Sequence, residues 1–282
     1  MNIHILGHVC IDSNVSEHAT YTGAGSPAVF MAHVYKKFPR VSSHIIAPYG
    51  SNFLPYCKDL NIYPSQPIGD TTLLYENISH GNERSQKAHH RESAKPLPLT
   101  EEIKNTLSKA DILFFAPLTP DYSIEYVKIA MQHLRKDTLK IFLPQGYYRS
   151  FDGEDRVVER DFVEADELIP LFDFVIVSEE DHRDIIKSAR DWSNTTQVIM
   201  TQGDKGAQYF FQDTSFTVPV DKVNLADIID SVGSGDIFSA SFGYKYHLTK
   251  DVKKSIKFAN NIARQCLFSK ADNLQFVLPN ND

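Results

Sequence analysis

Short apolar runs alternate along this chain with longer stretches of helical periodicity. Ile3–Leu6, Ile45–Ala47, Ile112–Ala116, Ile141–Leu143, Phe174–Val177 and Val198–Met200 read as strands. They are short and apolar, as expected where both faces of a parallel sheet are covered. Helical patterns lie between them at Ser26–Phe38, Thr100–Lys109, Tyr122–Arg135 and Glu179–Arg190, with a further one at Asp251–Phe268. The first has a defined start. Ser26 can cap it, and Pro27 suits the first helical position, where its missing N–H costs nothing. Ala28, Met31, Ala32 and Tyr35 give it a face for packing on a sheet. Tyr209–Phe211 and Phe216–Val218 flank a polar turn and read as a hairpin. Repeated strand–helix units predict an α/β three-layer sandwich around a mainly parallel central sheet. The polar stretch Ser79–Lys95, with His80, His89 and His90, reads as a loop or mobile edge. With no Gly/Ser linker, repeat or low-complexity segment, residues 1–282 read as one domain.

Composition narrows the class. Hydrophobic residues make up 42% and charged residues 23%, enough for a real core and against global disorder. A formal charge of -7 argues against nucleic acid as a partner. No run reaches the roughly 18 apolar residues that span a bilayer, so no membrane is expected. The N-terminus lacks the basic start and apolar centre of a signal peptide. Cys10, Cys57 and Cys266 are scattered and odd in number, which suggests neither a disulfide framework nor a metal cluster. The expectation is a reduced, cytoplasmic protein. The histidines at 80, 89 and 90 lack metal-ligand spacing, and Trp192 reads as a packing residue.

The segment Asp230-Ser231-Val232-Gly233-Ser234-Gly235-Asp236 is the most informative. Phe238, Phe242 and Tyr246 follow it at helical spacing, so the picture is a glycine turn opening into an amphipathic helix. Glycines there let successive N–H groups aim at one point, and the helix N-terminus adds positive potential. Such a place attracts phosphate. A carboxylate at Asp236 is repelled by phosphate unless its task is to take a proton from an attacking hydroxyl. Taken alone, four residues are equally consistent with a turn and a helix cap.

The segment resembles the second signature of the ribokinase-like, or PfkB, family of sugar kinases, whose usual form is Asp-Thr-Thr-Gly-Ala-Gly-Asp. Asp230, Gly233, Gly235 and Asp236 match it. Three more segments agree in order. Gly7-His8-Val9-Cys10-Ile11-Asp12 looks like the family's first strand and substrate-binding Asp, with Asp12 expected after the strand's end and before a polar loop. Gly23-Ala24-Gly25-Ser26-Pro27-Ala28 resembles its glycine-rich first signature. Thr201-Gln202-Gly203-Asp204-Lys205-Gly206 is similar to its nucleotide segment Thr-x-Gly-x-x-Gly. Phe142–Arg149 and Ser178–Asp181 resemble the inositol-kinase-like branch, and the ten residues between Asp12 and Gly23 imply a short lid.

The resemblance implies an ATP-dependent kinase, with Mg²⁺, acting on a hydroxyl of a small sugar or polyol, as a monomer or homodimer. It implies that Asp236 is the base and that the Gly233, Ser234 and Gly235 amides form the anion hole. Asp12, Gly25 and Ser26 would meet the substrate, with Gln145 and Arg149 following a strand end nearby. Thr201, Gly203, Gly206 and Asn260 would line the nucleotide. Glu180 and Asp181, read at a helix start, suit either a hydrated Mg²⁺ or complementation of the helix dipole. Two positions depart from the family: Val29 stands where Asn is usual, and Ser178-Glu179-Glu180-Asp181 where Asn-x-x-Glu is usual. A nucleoside kinase of the same fold and a non-catalytic ligand sensor remain alternatives. A dinucleotide oxidoreductase is disfavoured, because no Gly-x-Gly-x-x-Gly follows the first strand.

Overall fold

The computed structural model describes residues 1–16, 20–80, 83–270 and 273–279. From the N-terminus run β1 (Asn2–Gly7), β2 (Cys10–Ser16), β3 (Thr20–Gly25), α1 (Pro27–Tyr35), β4 (Ser42–Ile46) and β5 (Ile62–Tyr63). Next come β6 (Leu74–His80), β7 (Glu83–His89), α2 (Glu101–Leu107), β8 (Ile112–Ala116), α3 (Ile124–Gln132) and β9 (Leu139–Phe142). Then follow β10 (Arg149–Phe151), β11 (Val157–Glu159), α4 (Ala165–Leu168), β12 (Phe174–Ser178) and α5 (Ile185–Trp192). The chain continues through β13 (Gln197–Thr201), β14 (Ala207–Phe211), β15 (Thr214–Val218), α6 (Ser234–Thr249) and α7 (Val252–Cys266).

Nine strands form the main sheet in the order β15-β14-β13-β12-β9-β8-β1-β4-β5. From β13 to β5 every pairing is parallel, and β14 and β15 add the expected antiparallel hairpin at one edge. Alternation along each strand splits the core in two. Ile3, Ile5, Phe114, Phe174 and Ile176 pack with α1, α6 and α7. Leu6, Leu113, Phe115, Val175 and Val177 pack on the other side with residues of α2, α3, α4 and α5. This is the three-layer sandwich that the apolar runs predict. Trp192 is buried on the second side, edge-on to Phe162, as a packing residue. Among the described residues, no helix is long and apolar enough to cross a membrane.

Two expectations are corrected here. The stretch read as a loop or mobile edge at 79–95 contains the end of β6 and all of β7, an edge strand, and the two pair antiparallel from Leu74↔His89 outward. His89 therefore lies in a strand, and His90 takes a left-handed turn conformation after it. The two strands complete a second sheet in the order β3-β2-β6-β7. The β2–β3 hairpin is as short as its sequence spacing requires, and the second hairpin doubles the width of this sheet. The other correction concerns the helix expected from Glu179. Asp181 Oδ2 accepts from the Ser178 N–H at 2.8 Å, and Ser178 Oγ accepts from the Glu180 N–H at 3.2 Å. These local bonds compete with the helical ladder, so α5 begins only at Ile185.

Phe142 is fully buried and stacks on Phe172 and Phe115, with ring centroids 4.6 and 5.1 Å away. Phe142→Ala is expected to cost about 3–5 kcal/mol of stability, measured by urea unfolding. An unchanged unfolding midpoint would contradict this packing.

Candidate active site

The parallel strands end on one side of the sheet, and β1 pairs there with β4 on one flank and β8 on the other. That split is a switch point, where a crevice opens beyond the carboxyl ends of the strands. Asp12 reaches it differently from the expectation of a loop after a strand end. It lies inside β2, opposite Gly23 of β3 and Tyr75 of β6. Its carboxylate packs so closely on Gly25 that a Cβ there would collide with it. The Cys10 thiol donates to Asp12 Oδ1 at 3.6 Å, and burial raises its pKa, which keeps it a thiol. Ser26 follows at a φ of 97°, a conformation uncommon for a residue with a side chain, and its Oγ accepts from the Val29 N–H at 3.3 Å. Backbone strain of this kind tends to gather at ligand sites. Val29 is itself buried in the core, so the missing Asn leaves an apolar packing group there.

Gln145 and Arg149 come from the segment after β9. Arg149 lies 4.8 Å over the Tyr75 ring, and its Nη1 donates to the Leu118 carbonyl at 3.4 Å. The Tyr75 hydroxyl donates to the same carbonyl at 2.7 Å. Gln145, in the turn Pro144–Tyr148, is half-buried beside this group.

The glycine turn arrives opposite. Gly233 caps α6 at a φ of 73°, and a Cβ there would sit 2.6 Å from the Phe30 ring, so glycine is required twice over. Asp230 folds the turn by accepting from the Val232 N–H at 2.9 Å. The Ser234 N–H turns to the Ser231 carbonyl at 3.2 Å. The N–H groups of Gly235 and Asp236 come next, in the first turn of α6, where the helix itself offers no carbonyl partner. Asp236 stands half-buried in that turn. Burial first, then the charges of Asp181 and Asp12, push its pKa up to about 8, while Arg149 pulls it down. Asp181 is raised to about 6 by burial, against its bond from the Ser178 N–H and the charge of Arg149. Asp12, Asp181, Asp236 and Arg149 therefore share one electrostatic field.

On the neighbouring strand ends, Thr201 closes β13, and its Oγ1 donates to the Val177 carbonyl at 3.2 Å. Gly203 and Gly206 follow with positive φ, and Gly206 backs directly onto Val218 and Pro219. Asn260 is buried and donates from Nδ2 to the Val218 carbonyl at 2.9 Å and the Pro219 carbonyl at 3.4 Å. It thus ties α7 to the segment behind the Gly203–Gly206 turn. Glu180 is exposed and Asp181 beside it half-buried. No cluster of three or more His, Cys, Asp or Glu among the described residues is arranged to chelate a metal. Mg²⁺ needs none, since it keeps several waters and takes one or two carboxylates with the phosphates. Glu180 and Asp181 fit that donor set.

The sequence reading passed over a row of amides. Asn77 donates to Asn14 Oδ1 at 3.1 Å and Gln86 donates to Asn77 Oδ1 at 2.6 Å, across β2, β6 and β7. Strand alternation puts Asn14 on the face of Asp12 and Asn77 on the face of Tyr75. A signal for these strands exists in Gly81-Asn82, a two-residue hairpin pair between them.

The raised pKa of Asp236 gives a stability prediction that needs no substrate. The ordinary value for Asp is about 3.9, so the folded state holds this proton more tightly than the unfolded chain. The resulting stability is present in full below that value and lost as pH rises through about 8. Asp236→Asn cannot ionise, so its Tm is expected to gain on the wild type from about pH 4 to about pH 8 and then level off. A Tm difference that stays flat over this range contradicts the assignment.

Comparison with known proteins agrees with this geometry. A search of curated proteins finds no match. Solved structures of the same fold include a pyrophosphate-dependent kinase of the ribokinase family complexed with a pyrophosphate analogue and myo-inositol. Its TM-score is 0.71 at 17% identity, covering 93% of each chain. The nucleoside kinase of Methanocaldococcus jannaschii scores 0.69 at 18% identity, covering 97% of this chain and 94% of that one. Ribokinase from Cryptococcus neoformans in complex with ADP scores 0.74 at 14% identity, covering 95% and 94%. The family model described as pfkB family carbohydrate kinase matches residues 71–276, which include Arg149, the Thr201–Gly206 turn and the glycine turn before Asp236. This chain therefore belongs to the pfkB family of carbohydrate kinases.

Proposed function

We propose that the chain is an ATP-dependent kinase that phosphorylates a hydroxyl of a small uncharged polyol, a sugar or a cyclitol such as inositol. The observation that carries this reading is Asp236 in the first turn of α6, sharing one field with Asp12, Asp181 and Arg149. Asp12 accepts hydrogen bonds from substrate hydroxyls, and Gly25 leaves it room to do so. Ser26, Gln145 and Arg149 complete the substrate side. Asp236 takes the proton of the attacking hydroxyl as its oxygen bonds to the γ-phosphorus and the bond to the β-phosphate oxygen breaks. The amides of Gly233, Ser234 and Gly235, at the positive end of α6, hold the transferring group. For Ser234 this means leaving the Ser231 carbonyl. Bound Mg²⁺, held through Glu180 and Asp181, would neutralise phosphate charge. Positioning and electrostatics carry most of the work in such a site.

Three carboxylates against one guanidinium favour a neutral substrate over a sugar acid or sugar phosphate. The amide row Asn14–Asn77–Gln86 supplies further hydroxyl partners on the same face. For the donor, Thr201, Gly203 and Gly206 line the phosphates and nucleoside, with Asn260 holding the wall behind them. Leu225 and Ile229, 82% and 62% exposed on the segment before α6, offer apolar surface that an adenine can cover and pyrophosphate cannot. A nucleoside substrate is the second reading, favoured by Tyr21, which is 56% exposed opposite Asn14 and could stack on a base. A single domain over 1–282, a cytoplasmic setting and a monomer or homodimer belong to the same proposal. The free state of all three cysteines supports a reduced compartment.

The test is phosphoryl transfer from ATP and from pyrophosphate across pentoses, hexoses, inositols and nucleosides. Transfer from ATP to one polyol is expected, with Asp236→Asn lowering kcat by roughly 10²–10⁴-fold. Normal turnover by that variant contradicts the mechanism. Transfer from pyrophosphate alone contradicts the donor, and transfer only to nucleosides favours the second reading. Ligand binding without any transfer would make the protein a sensor.

The base must be ionised to act. For the wild type, kcat/KM is therefore expected to rise with pH and level off above about 8. A profile that falls over this range contradicts the role of Asp236.

A further inference from the structure

One buried titratable side chain at this end of the sheet takes no part in the chemistry above. His8, directly after β1, is wholly shielded from solvent. Its Nδ1 accepts from the Leu118 N–H at 2.8 Å, so Nε2 carries the proton and donates to the Ala94 carbonyl at 2.7 Å. Burial lowers its pKa to about 4, which keeps the ring neutral and this tautomer in place at neutral pH. The Pro117–Leu118 peptide is thus gripped at its N–H by His8. The next peptide, Leu118–Thr119, is gripped at its carbonyl by the Tyr75 hydroxyl at 2.7 Å and Arg149 Nη1 at 3.4 Å.

The surroundings leave this peptide little freedom. A Cβ on Gly146 would lie 2.7 Å from both the Pro117 carbonyl oxygen and the Thr119 nitrogen, so the turn that leads to Arg149 is pressed against residues 117–119. The Gly146 N–H donates to the Pro117 carbonyl at 3.0 Å. Tyr122 packs edge-on to the His8 ring at 5.1 Å and donates to the Gly7 carbonyl at 2.7 Å. A chain of contacts therefore runs from His8 through the Leu118 backbone to the Tyr75 hydroxyl and to Arg149, the cation whose charge reaches Asp181 and Asp236.

We infer that His8 is a positioning residue for the kinase site: it fixes the backbone of Leu118 through the N–H, and so places the carbonyl of the same residue, in the next peptide, to anchor Arg149 and Tyr75 against the substrate side of the cleft. The inference rests on the reading of Arg149 as a site residue. Replacing His8 by an apolar residue leaves the buried Leu118 N–H without an acceptor, and the peptide turns to find one. Arg149 then loses its anchor while keeping its charge.

The test compares His8→Leu with His8→Asn, whose Oδ1 can stand in for Nδ1 as the acceptor. NMR of the Arg149 guanidinium, without substrate, is expected to show hindered, resolved Nη signals in the wild type. These should average in His8→Leu and be restored in His8→Asn. In turnover, His8→Leu is expected to lower kcat by roughly 10²-fold while leaving the donor KM unchanged. In an Arg149→Gln background it should cost nothing further, because both changes act through the same group. Unchanged Arg149 signals in a folded His8→Leu protein, or losses that add fully in the double variant, would overturn the inference. Should His8→Leu not fold, Tyr75→Phe keeps the ring under Arg149 and removes the bond to Leu118. Its Arg149 signals should also average, and unchanged signals there overturn the inference equally. The NMR measurement needs no substrate, so a failure of the kinase reading leaves it interpretable.

Discussion

Three carboxylates in one cleft repel one another, and a single guanidinium has to hold them together. Asp12, Asp181 and Asp236 come from three different parts of the chain; Arg149 is the cation that acts on Asp181 and Asp236, and its charge meets that of Asp12 at Cys10 and Tyr75. Burial makes this field strong, because charges in a cleft are screened less than charges in water. Burial of Asp236 itself, and after it the charges of Asp181 and Asp12, push its pKa up to about 8. A carboxylate poised there is a poor permanent anion and a serviceable base, which is the property phosphoryl transfer from a hydroxyl requires.

The fold supplies the geometry this balance needs. The parallel strands of the main sheet bring Thr201, Ser178, the Arg149 turn and the Leu118 peptide to one edge, because their carboxyl ends point the same way. The small sheet carries Asp12 and Tyr75 to that edge in register. Helix α6 brings Asp236 behind a glycine turn whose backbone a larger residue could not adopt against Phe30. Gly243, one face further along α6, sits where a Cβ would be 2.6 Å from Phe114 of the sheet, so the helix lies close on the core. The distance from Asp236 to the sheet is thereby set by helix packing.

Much of this was legible in the residues. The apolar runs found the parallel strands because burial on both faces leaves little room for polar side chains. The glycine turn that opens into the helix of Asp236 was legible because the motif carries its own backbone conformation. What failed was non-local. The strands Leu74–His80 and Glu83–His89 are rich in polar side chains and bury only a small cluster, Tyr75 and Ala88 with Leu73 and Leu118, so hydrophobic alternation is weak. Asp12 was placed after a strand because its partners, Gly23 and Tyr75, are set by pairing that the sequence does not announce. The helix start at Glu179 was lost to two side-chain bonds around Ser178 that no periodicity reveals. Asn260 was read only as a residue lining the nucleotide; the burial of its amide on the backbone at Val218, forty-two residues earlier, has no local signal. His8 gave no signal at all, because its role depends on a peptide more than a hundred residues away.

The most direct test of the shared field is the titration of the Asp236 carboxyl carbon by NMR, in the wild type and in Asp181→Asn and Arg149→Gln. The account predicts a midpoint of about 8 in the wild type, lower in Asp181→Asn and higher in Arg149→Gln. A midpoint near the ordinary aspartate value of about 4, unmoved by either substitution, would contradict it.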